Sequence, residues 1–397
     1  MSKKRYLTAK EATTLLGISA TTLYAYVSRG LIFSEASPEN SRERRYRAED
    51  VQRLLDRKAQ RRDPAQAVQE ALHWGAPILE SALTLITENA LYYRGHDVRT
   101  LAQLHSFEEV AALLWTESMD HAMVLFDTPL PFPLPAIPAD SPIAKMKIAL
   151  ALTAEQDLAA YTLTPENCAQ TGARILHLLT YALTGDPVFA PMIAATLARA
   201  WQVESILILN TALILCADHE LNASSFAARV IASAEATPYA VVAGGLAALE
   251  GIRHGGLTRR TAAFLREVEQ AGSPLVVIRE RLQRGDTIPG FGHPLYPNGD
   301  PRAVVLLELL KSVVPEQEFT LSEAVIGDMQ KATGEAPTID FALVVMERAL
   351  HLPPDSALAL FGLGRTAGWI AHAIEQYSVG QLIRPRAKYV GQLPTEG

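Results

Sequence analysis

Gly290-Phe291-Gly292-His293-Pro294-Leu295-Tyr296-Pro297-Asn298-Gly299-Asp300-Pro301-Arg302-Ala303 sets a histidine in a glycine-framed loop nine residues before an arginine. Glycine on both sides opens backbone conformations closed to other residues and admits a ligand close to the main chain. Histidine donates a hydrogen bond or a proton near neutral pH. The planar fork of an arginine grips a carboxylate. His293 and Arg302 together therefore suit a carboxylated carbonyl compound.

Other segments on either side carry candidate partners. Asp218-His219-Glu220 closes an apolar run, Ser205 to Ala217, that reads as a buried helix. Taken alone, His219 reads first as a structural histidine. In Arg253-His254-Gly255-Gly256 the histidine stands where a helix ends and the chain turns, so it reads equally as a turn residue or as a ring presented to a ligand. Asp340, in Thr338-Ile339-Asp340-Phe341, sits between apolar neighbours that would raise a carboxyl pKa, although a lone Asp at a helix start reads first as an N-cap. Gly362-Leu363-Gly364-Arg365-Thr366-Ala367-Gly368 has neither the spacing nor the βαβ setting of a dinucleotide fingerprint. Ile383-Arg384-Pro385-Arg386 offers two more guanidinium groups, or a solvated tail.

The N-terminus reads as a separate module. Thr8 with Glu11 gives a capping-box signature for a helix over Thr8–Leu16 stopped by Gly17, and a second helix runs from Ser19 through Tyr24 to a stop at Gly30. Arg42, Arg44, Arg45 and Arg47 around Tyr46 read as a basic wing, and a further helix is expected from Ala48 to about Lys58. Residues 1–65 hold 14 Lys+Arg against 8 Asp+Glu, whereas the whole chain carries a net charge of −7. That asymmetry points to a nucleic-acid-facing or partner-facing module on an acidic body. Ser19, Thr21, Thr22, Tyr24, Arg42, Arg44 and Arg45 are the candidate DNA contacts, with a solvated face or an assembly contact as the alternative.

Beyond the charged, Pro64-ended linker almost everything reads as helix, interrupted by a proline-rich loop from Pro129 to Pro142, and strand signals are nearly absent. The chain has 397 residues and 49% hydrophobic content, enough for several cores. Its two cysteines, Cys168 and Cys216, lack any paired spacing, so neither a disulfide framework nor a zinc site is expected and a reducing cytoplasm is the natural home. No apolar leader follows Lys3-Lys4-Arg5, and the longest uncharged apolar run falls short of the roughly 18 residues of a membrane span. HExxH, GxSxG and Walker sequences are missing, which weakens metalloprotease, serine hydrolase and ATPase readings.

In chain order His219, His254, His293, Arg302, Asp340, Arg365 and Arg384 match the ligand and catalytic positions of the citrate synthase family, which residues from about 75 to 392 resemble. Tyr93-Arg94-Gly95, Ser106-Phe107-Glu108-Glu109-Val110-Ala111 and Arg365-Thr366-Ala367-Gly368-Trp369 resemble further signatures of that family. The first 55 or so residues resemble the winged helix-turn-helix of the MerR and excisionase group, in Tyr6-Leu7-Thr8-Ala9-Lys10-Glu11-Ala12, Leu16-Gly17-Ile18-Ser19 and Arg45-Tyr46.

The resemblance implies a mainly α homodimer: a winged helix-turn-helix over 1–64, a large helical domain from 65–248 and 347–397, and a small domain over 249–346. It implies His254, His293 and Asp340 as the catalytic trio and His219, Arg302, Arg365 and Arg384 as carboxylate ligands, Arg384 reaching the neighbouring subunit's site. Thr287, Ile288, Pro289 and Gly290 would contact coenzyme A, a substrate, with no metal or other cofactor. The expected reaction joins acetyl-CoA, oxaloacetate and water. Condensation of propionyl-CoA to 2-methylcitrate, or a metabolite-sensing DNA-binding regulator with a synthase-like body, are the alternatives. The sequence departs from the family's commonest pattern at Leu257-Thr258-Arg259 after His254-Gly255-Gly256, at Pro294 and Pro297, and at Thr338.

Overall fold

The computed structural model describes residues 6–29, 31–36, 44–48, 50–51, 54, 79–127, 130–188 and 192–392. Arg42 and most of the helix expected over Ala48–Lys58 lie outside them. The chain divides into two compact units, Met1–Glu80 and Ser81–Gly397.

In the first unit the expected capping box forms. Thr8 accepts from the Glu11 amide at 3.2 Å while Glu11 accepts from the Thr8 amide at 2.8 Å, and the helix Ala9–Leu16 ends at Gly17 with φ 60°. The second helix, Ala20–Ser28, starts from an Ser19 cap. Strands β1 (Tyr6–Thr8), β2 (Ser34–Ala36) and β3 (Arg44–Arg47) form an antiparallel sheet of order β1-β3-β2, in which Leu7 faces Tyr46 and Glu35 faces Arg45. Ala12, Leu16, Leu23, Ile32, Tyr46 and Val51 make this unit's core.

The second unit is mainly helical, as the composition implies. It does contain strands the sequence pattern did not reveal: β4 (Thr84–Ile86), β5 (Leu91–Tyr93) and β6 (His96–Asp97) pair antiparallel in that order. At two or three residues each they are too short to display alternation, the main signal of a half-buried strand. The described part of the proline-rich stretch has no regular structure and ends where Pro142 opens the helix Pro142–Thr153.

The helix Ser356–Val379 forms the spine of this unit, and only its last turn and Glu375 reach the surface. By length and composition it could cross a membrane, but its apolar window is wholly buried inside the protein, as in the core helix of a globular unit. Gly364 and Gly368 let it close onto the end of the helix Ile206–Cys216. A Cβ on Gly364 would lie 2.6 Å from the Leu213 carbonyl oxygen, and one on Gly368 would lie 2.4 Å from that of Ala217. The glycine motif set aside as a nucleotide fingerprint is thus a helix-packing face. Because the obstacle is backbone, Gly368→Ala is expected to cost about 1–3 kcal/mol by overpacking. A urea-unfolding midpoint equal to that of the unaltered chain would contradict this packing.

The early signatures brace the same region. The Tyr93 hydroxyl accepts from the Asp218 amide at 3.1 Å and lies 2.9 Å from the Asp218 carbonyl oxygen, pinning the turn that follows Cys216. Ser106 and Glu109 form a second capping box, and buried Glu108 accepts from the Ile193 amide at 2.7 Å.

Candidate active site

Six segments of the second unit converge on one cluster of ionisable side chains. His219 lies in the turn after the helix Ile206–Cys216, and its Nε2 is 2.9 Å from the Tyr296 hydroxyl. His254 lies between the helices Pro238–Leu249 and Leu257–Ala271, with Nε2 2.7 Å from Ser224 Oγ. Phe361 packs edge-on to the His254 ring at 6.1 Å and lies under the Arg365 guanidinium at 5.1 Å, so those two site residues share one aromatic wall.

The glycines that drew attention to the His293 loop shape it as expected. Gly290 and Gly292 have φ 87° and 71°, conformations that disfavour any residue bearing a Cβ. Their backbone pairs with the segment before Asp340: Thr338 donates to the Gly290 carbonyl at 2.9 Å and Gly292 to the Ala336 carbonyl at 3.0 Å. The His293 loop and the start of the helix Ile339–Ala349 are thereby stitched together. Thr338 caps that helix by position, which leaves Asp340 in its first turn rather than as its cap. The His293 ring stands 5.4 Å from that of His219 and 4.9 Å from that of Tyr296.

Asp300, which sequence reading had not assigned a role, joins these parts. It caps the helix Pro301–Val313, holds Arg302 through Nε at 2.9 Å and Nη2 at 2.8 Å, and accepts from the Ile339 amide at 3.0 Å. Arg302 is buried and also lies over the Tyr296 ring at 5.6 Å. Arg365, on the spine helix, donates from Nε to the Cys216 carbonyl at 2.7 Å, while its buried Nη2 has no hydrogen-bond partner among the described residues. Asp300-Pro301-Arg302 did carry a legible sign, an N-cap followed by N1 proline.

Burial sets the protonation states. Asp340 is pushed up to about 7, by burial first and by the neighbouring Asp300 charge, with Arg302 and Arg365 pulling the other way. Its Oδ1 is buried without a hydrogen-bond partner among the described residues. His254 is lowered to about 4 by burial and then Arg365, and His293 to about 4 by burial and then Arg302. His219 falls well below its ordinary value for the same reasons. Near pH 7 the cluster holds three neutral imidazoles, two arginines and one carboxyl poised at its titration point. The Leu295 amide donates to His293 Nδ1 at 3.2 Å, which puts the proton of the neutral ring on Nε2.

The sequence profile described as "Citrate synthase, C-terminal domain" matches residues 71–127 and 134–386. The chain belongs to the citrate synthase family. A second profile, "Helix-turn-helix domain", matches residues 6–59. Citrate synthase 2 of Bacillus subtilis is 28% identical over 354 residues, spanning 80% of this chain and 94% of that protein. 2-Methylcitrate synthase 2 of Corynebacterium glutamicum is also 28% identical, over 342 residues, 77% of this chain and 89% of that one. Among solved structures, citrate synthase of Thermoplasma acidophilum in ternary complex with carboxymethyl coenzyme A and oxaloacetate superposes with a TM-score of 0.68 at 25% identity, covering 81% of this chain and 96% of that one. Citrate synthase of Thermotoga maritima does so with a TM-score of 0.66 at 28% identity and the same coverages.

Not every expected site residue joins the cluster. Arg384 is exposed in the irregular segment after Gly380, within this one chain. Ile288, Pro289 and Gly290 are buried, whereas Thr287 is exposed and accepts from Arg260 at 3.4 Å. Two of the departures from the family pattern have local partners: Arg259 pairs with Asp355 at 2.9 Å, and the Thr338 hydroxyl donates to the Gly290 carbonyl at 3.2 Å. In the first unit Ser19 and Thr22 bond each other at the helix cap, and Arg45 pairs with Glu35 and stacks 4.4 Å over Tyr6. Thr21, Tyr24 and Arg44 remain exposed.

Proposed function

We propose that the chain condenses acetyl-CoA with oxaloacetate and water to give citrate and free coenzyme A. The observation that carries this reading is Asp340, a buried carboxyl held at about 7 with an unpartnered oxygen, beside neutral histidines and two arginines. A thioester methyl is a very weak acid, so a base must act while the developing enolate oxygen is stabilised. Asp340 takes the methyl proton. His254 donates to the thioester oxygen. The Ser224 hydroxyl has one proton and two acceptors in reach, His254 Nε2 at 2.7 Å and Asn222 Oδ1 at 2.8 Å. Donation to His254 leaves the ring proton on Nδ1, free to face the thioester.

The enol carbon then attacks the ketone carbon of oxaloacetate, and His293 Nε2–H gives its proton to the oxygen that becomes the hydroxyl. Arg302, Arg365 and His219 hold the carboxylates, with Arg384 of a neighbouring subunit completing the clamp in a homodimer. Water finally attacks the thioester carbonyl and the C–S bond breaks; one water proton leaves with coenzyme A as the thiol, the other restores His293 as the new carboxylate forms, and Asp340 releases the methyl proton to solvent. Coenzyme A is a substrate here, approached through Thr287–Gly290, and the steps use side chains alone. In this reading residues 249–346 form the small domain and close on 65–248 and 347–397, expelling water. Release of free thiol from oxaloacetate with acetyl-CoA, compared with propionyl-CoA, tests the acyl preference. Faster release with propionyl-CoA would move the assignment to 2-methylcitrate.

A second reading adds to the first. Thr21, Tyr24 and Ser28 form an exposed stripe on the second helix of the helix-turn-helix, beside exposed Arg44 on the wing, a surface suited to duplex DNA in the cytoplasm. Binding should weaken steeply with salt, and Arg44→Ala should lower the slope of log affinity against log salt by about 1 without altering turnover. Salt-insensitive binding, or none, would leave the module an assembly element.

A further inference from the structure

Arg365, Gly368 and His372 lie at i, i+3 and i+7 on the spine helix, one stripe facing one segment. Each meets the next residue along that segment: Arg365 Nε donates to the Cys216 carbonyl at 2.7 Å, the Gly368 amide to the Ala217 carbonyl at 2.9 Å, and His372 Nε2 lies 3.2 Å from Asp218 Oδ1. His219 follows directly. Asp218 and His372 are both 0% exposed, so neither reaches a substrate.

Asp218 is the carboxylate whose charge acts most on Arg365, yet the two form no ion pair. Its Oδ2 is occupied elsewhere, and its Oδ1 rests against His372. Oδ2 accepts from the Thr84 hydroxyl at 2.5 Å and from the Glu220 amide at 3.1 Å. Oδ1 faces His372 in an off-line contact rather than an aligned hydrogen bond. A buried carboxylate released from these partners would be drawn to the Arg365 guanidinium and quench it for any anionic ligand.

We propose that Asp218, His372 and Thr84 are positioning residues for the condensation. They hold the Asp218 carboxylate off Arg365, so that the unpartnered Nη2 of Arg365 stays available to a carboxylate of the keto-diacid, and they fix the turn that carries His219. This rests on the functional reading above and adds to it three residues that touch no substrate.

The test compares oxaloacetate binding by titration calorimetry with turnover, using the full chain. His372→Gln is expected to weaken oxaloacetate binding by about tenfold, a cost of about 1.4 kcal/mol, while KM for the acyl-CoA stays near that of the unaltered chain. The double variant Asp218→Asn with His372→Gln removes the freed charge and should recover most of the lost affinity, which a purely structural pair would not do. If His372→Gln does not fold, Thr84→Val, which removes one hydrogen bond, should shift affinity the same way by a smaller factor. Oxaloacetate affinity unchanged in the folded single variant, or no recovery in the double variant, would overturn the proposal. An unaltered chain that binds oxaloacetate without turnover would instead overturn the functional reading, while the calorimetry would still report whether Asp218, His372 and Thr84 keep Arg365 available to the keto-diacid.

Discussion

Asp340→Asn is expected to lower turnover by about 10²–10⁴-fold while leaving oxaloacetate binding near that of the unaltered chain, because the carboxylate acts on the thioester and the arginines act on the diacid. Equal loss of both would contradict that division. The same residue predicts the pH profile. Asp340 must be ionised to act, so kcat/KM should rise with pH through an apparent value near 7, whereas His254 and His293 stay neutral until well below that. Stability moves the opposite way. A carboxyl raised from 3.8 to about 7 keeps its proton longer in the folded state than in the unfolded chain, so it favours folding at low pH. That contribution is lost as pH rises from about 4 to about 7, and at 1.36 kcal/mol per unit it amounts to something on the order of 4 kcal/mol. Asp340→Asn should therefore be the more stable protein at pH 8 and should lose this part of the pH dependence, as thermal melts at pH 5 and pH 8 would read. An enzyme that gains stability when its base is removed stores strain where it works.

Arg302→Met should be still more damaging, and in two separable ways. The guanidinium is the bidentate partner of Asp300, which is itself buried. Truncating it leaves that carboxylate with backbone donors alone, a loss expected to cost about 3–5 kcal/mol of stability. It also removes a carboxylate clamp, weakening oxaloacetate binding by about 2–5 kcal/mol. Adding Asp300→Asn should restore most of the stability and none of the binding. A double variant that recovers affinity as well would show that Arg302 shapes the loop without touching the diacid. Arg302→Lys should also bind poorly, since an ammonium cannot reproduce the two parallel bonds to Asp300.

The residues most legible in the sequence were those marked by backbone need. Gly290 and Gly292 advertise the His293 loop because their left-handed conformations demand glycine, and the Thr8/Glu11 capping box advertises the first helix because its logic is local. What escaped was long-range. Nothing near Asp218 foretells that Thr84, 134 residues earlier, hydrogen-bonds it, or that His372 closes the same pair. Asp300 was visible as a cap but not as the link between Arg302 and the Asp340 helix, which needs the fold to bring Ile339 alongside. The spacing of Gly364 and Gly368 excludes a nucleotide fingerprint, but their packing role shows only once the helix they close on is in place. Arg384 was legible only through family resemblance, and in a single chain it stands exposed. The second sheet was lost to brevity rather than to distance.

In the proposed reaction Asp340, His254 and His293 make a carbon–carbon bond between a thioester methyl and the ketone of oxaloacetate. Following methyl-labelled acetyl-CoA by carbon NMR, in the presence of oxaloacetate and the purified chain, tests it most directly. The label is expected to leave the thioester methyl and appear as a citrate methylene, and Asp340→Asn to abolish the conversion. A folded protein that binds oxaloacetate yet leaves both the methyl signal of acetyl-CoA and the α-methylene signal of propionyl-CoA unchanged would rule this chemistry out.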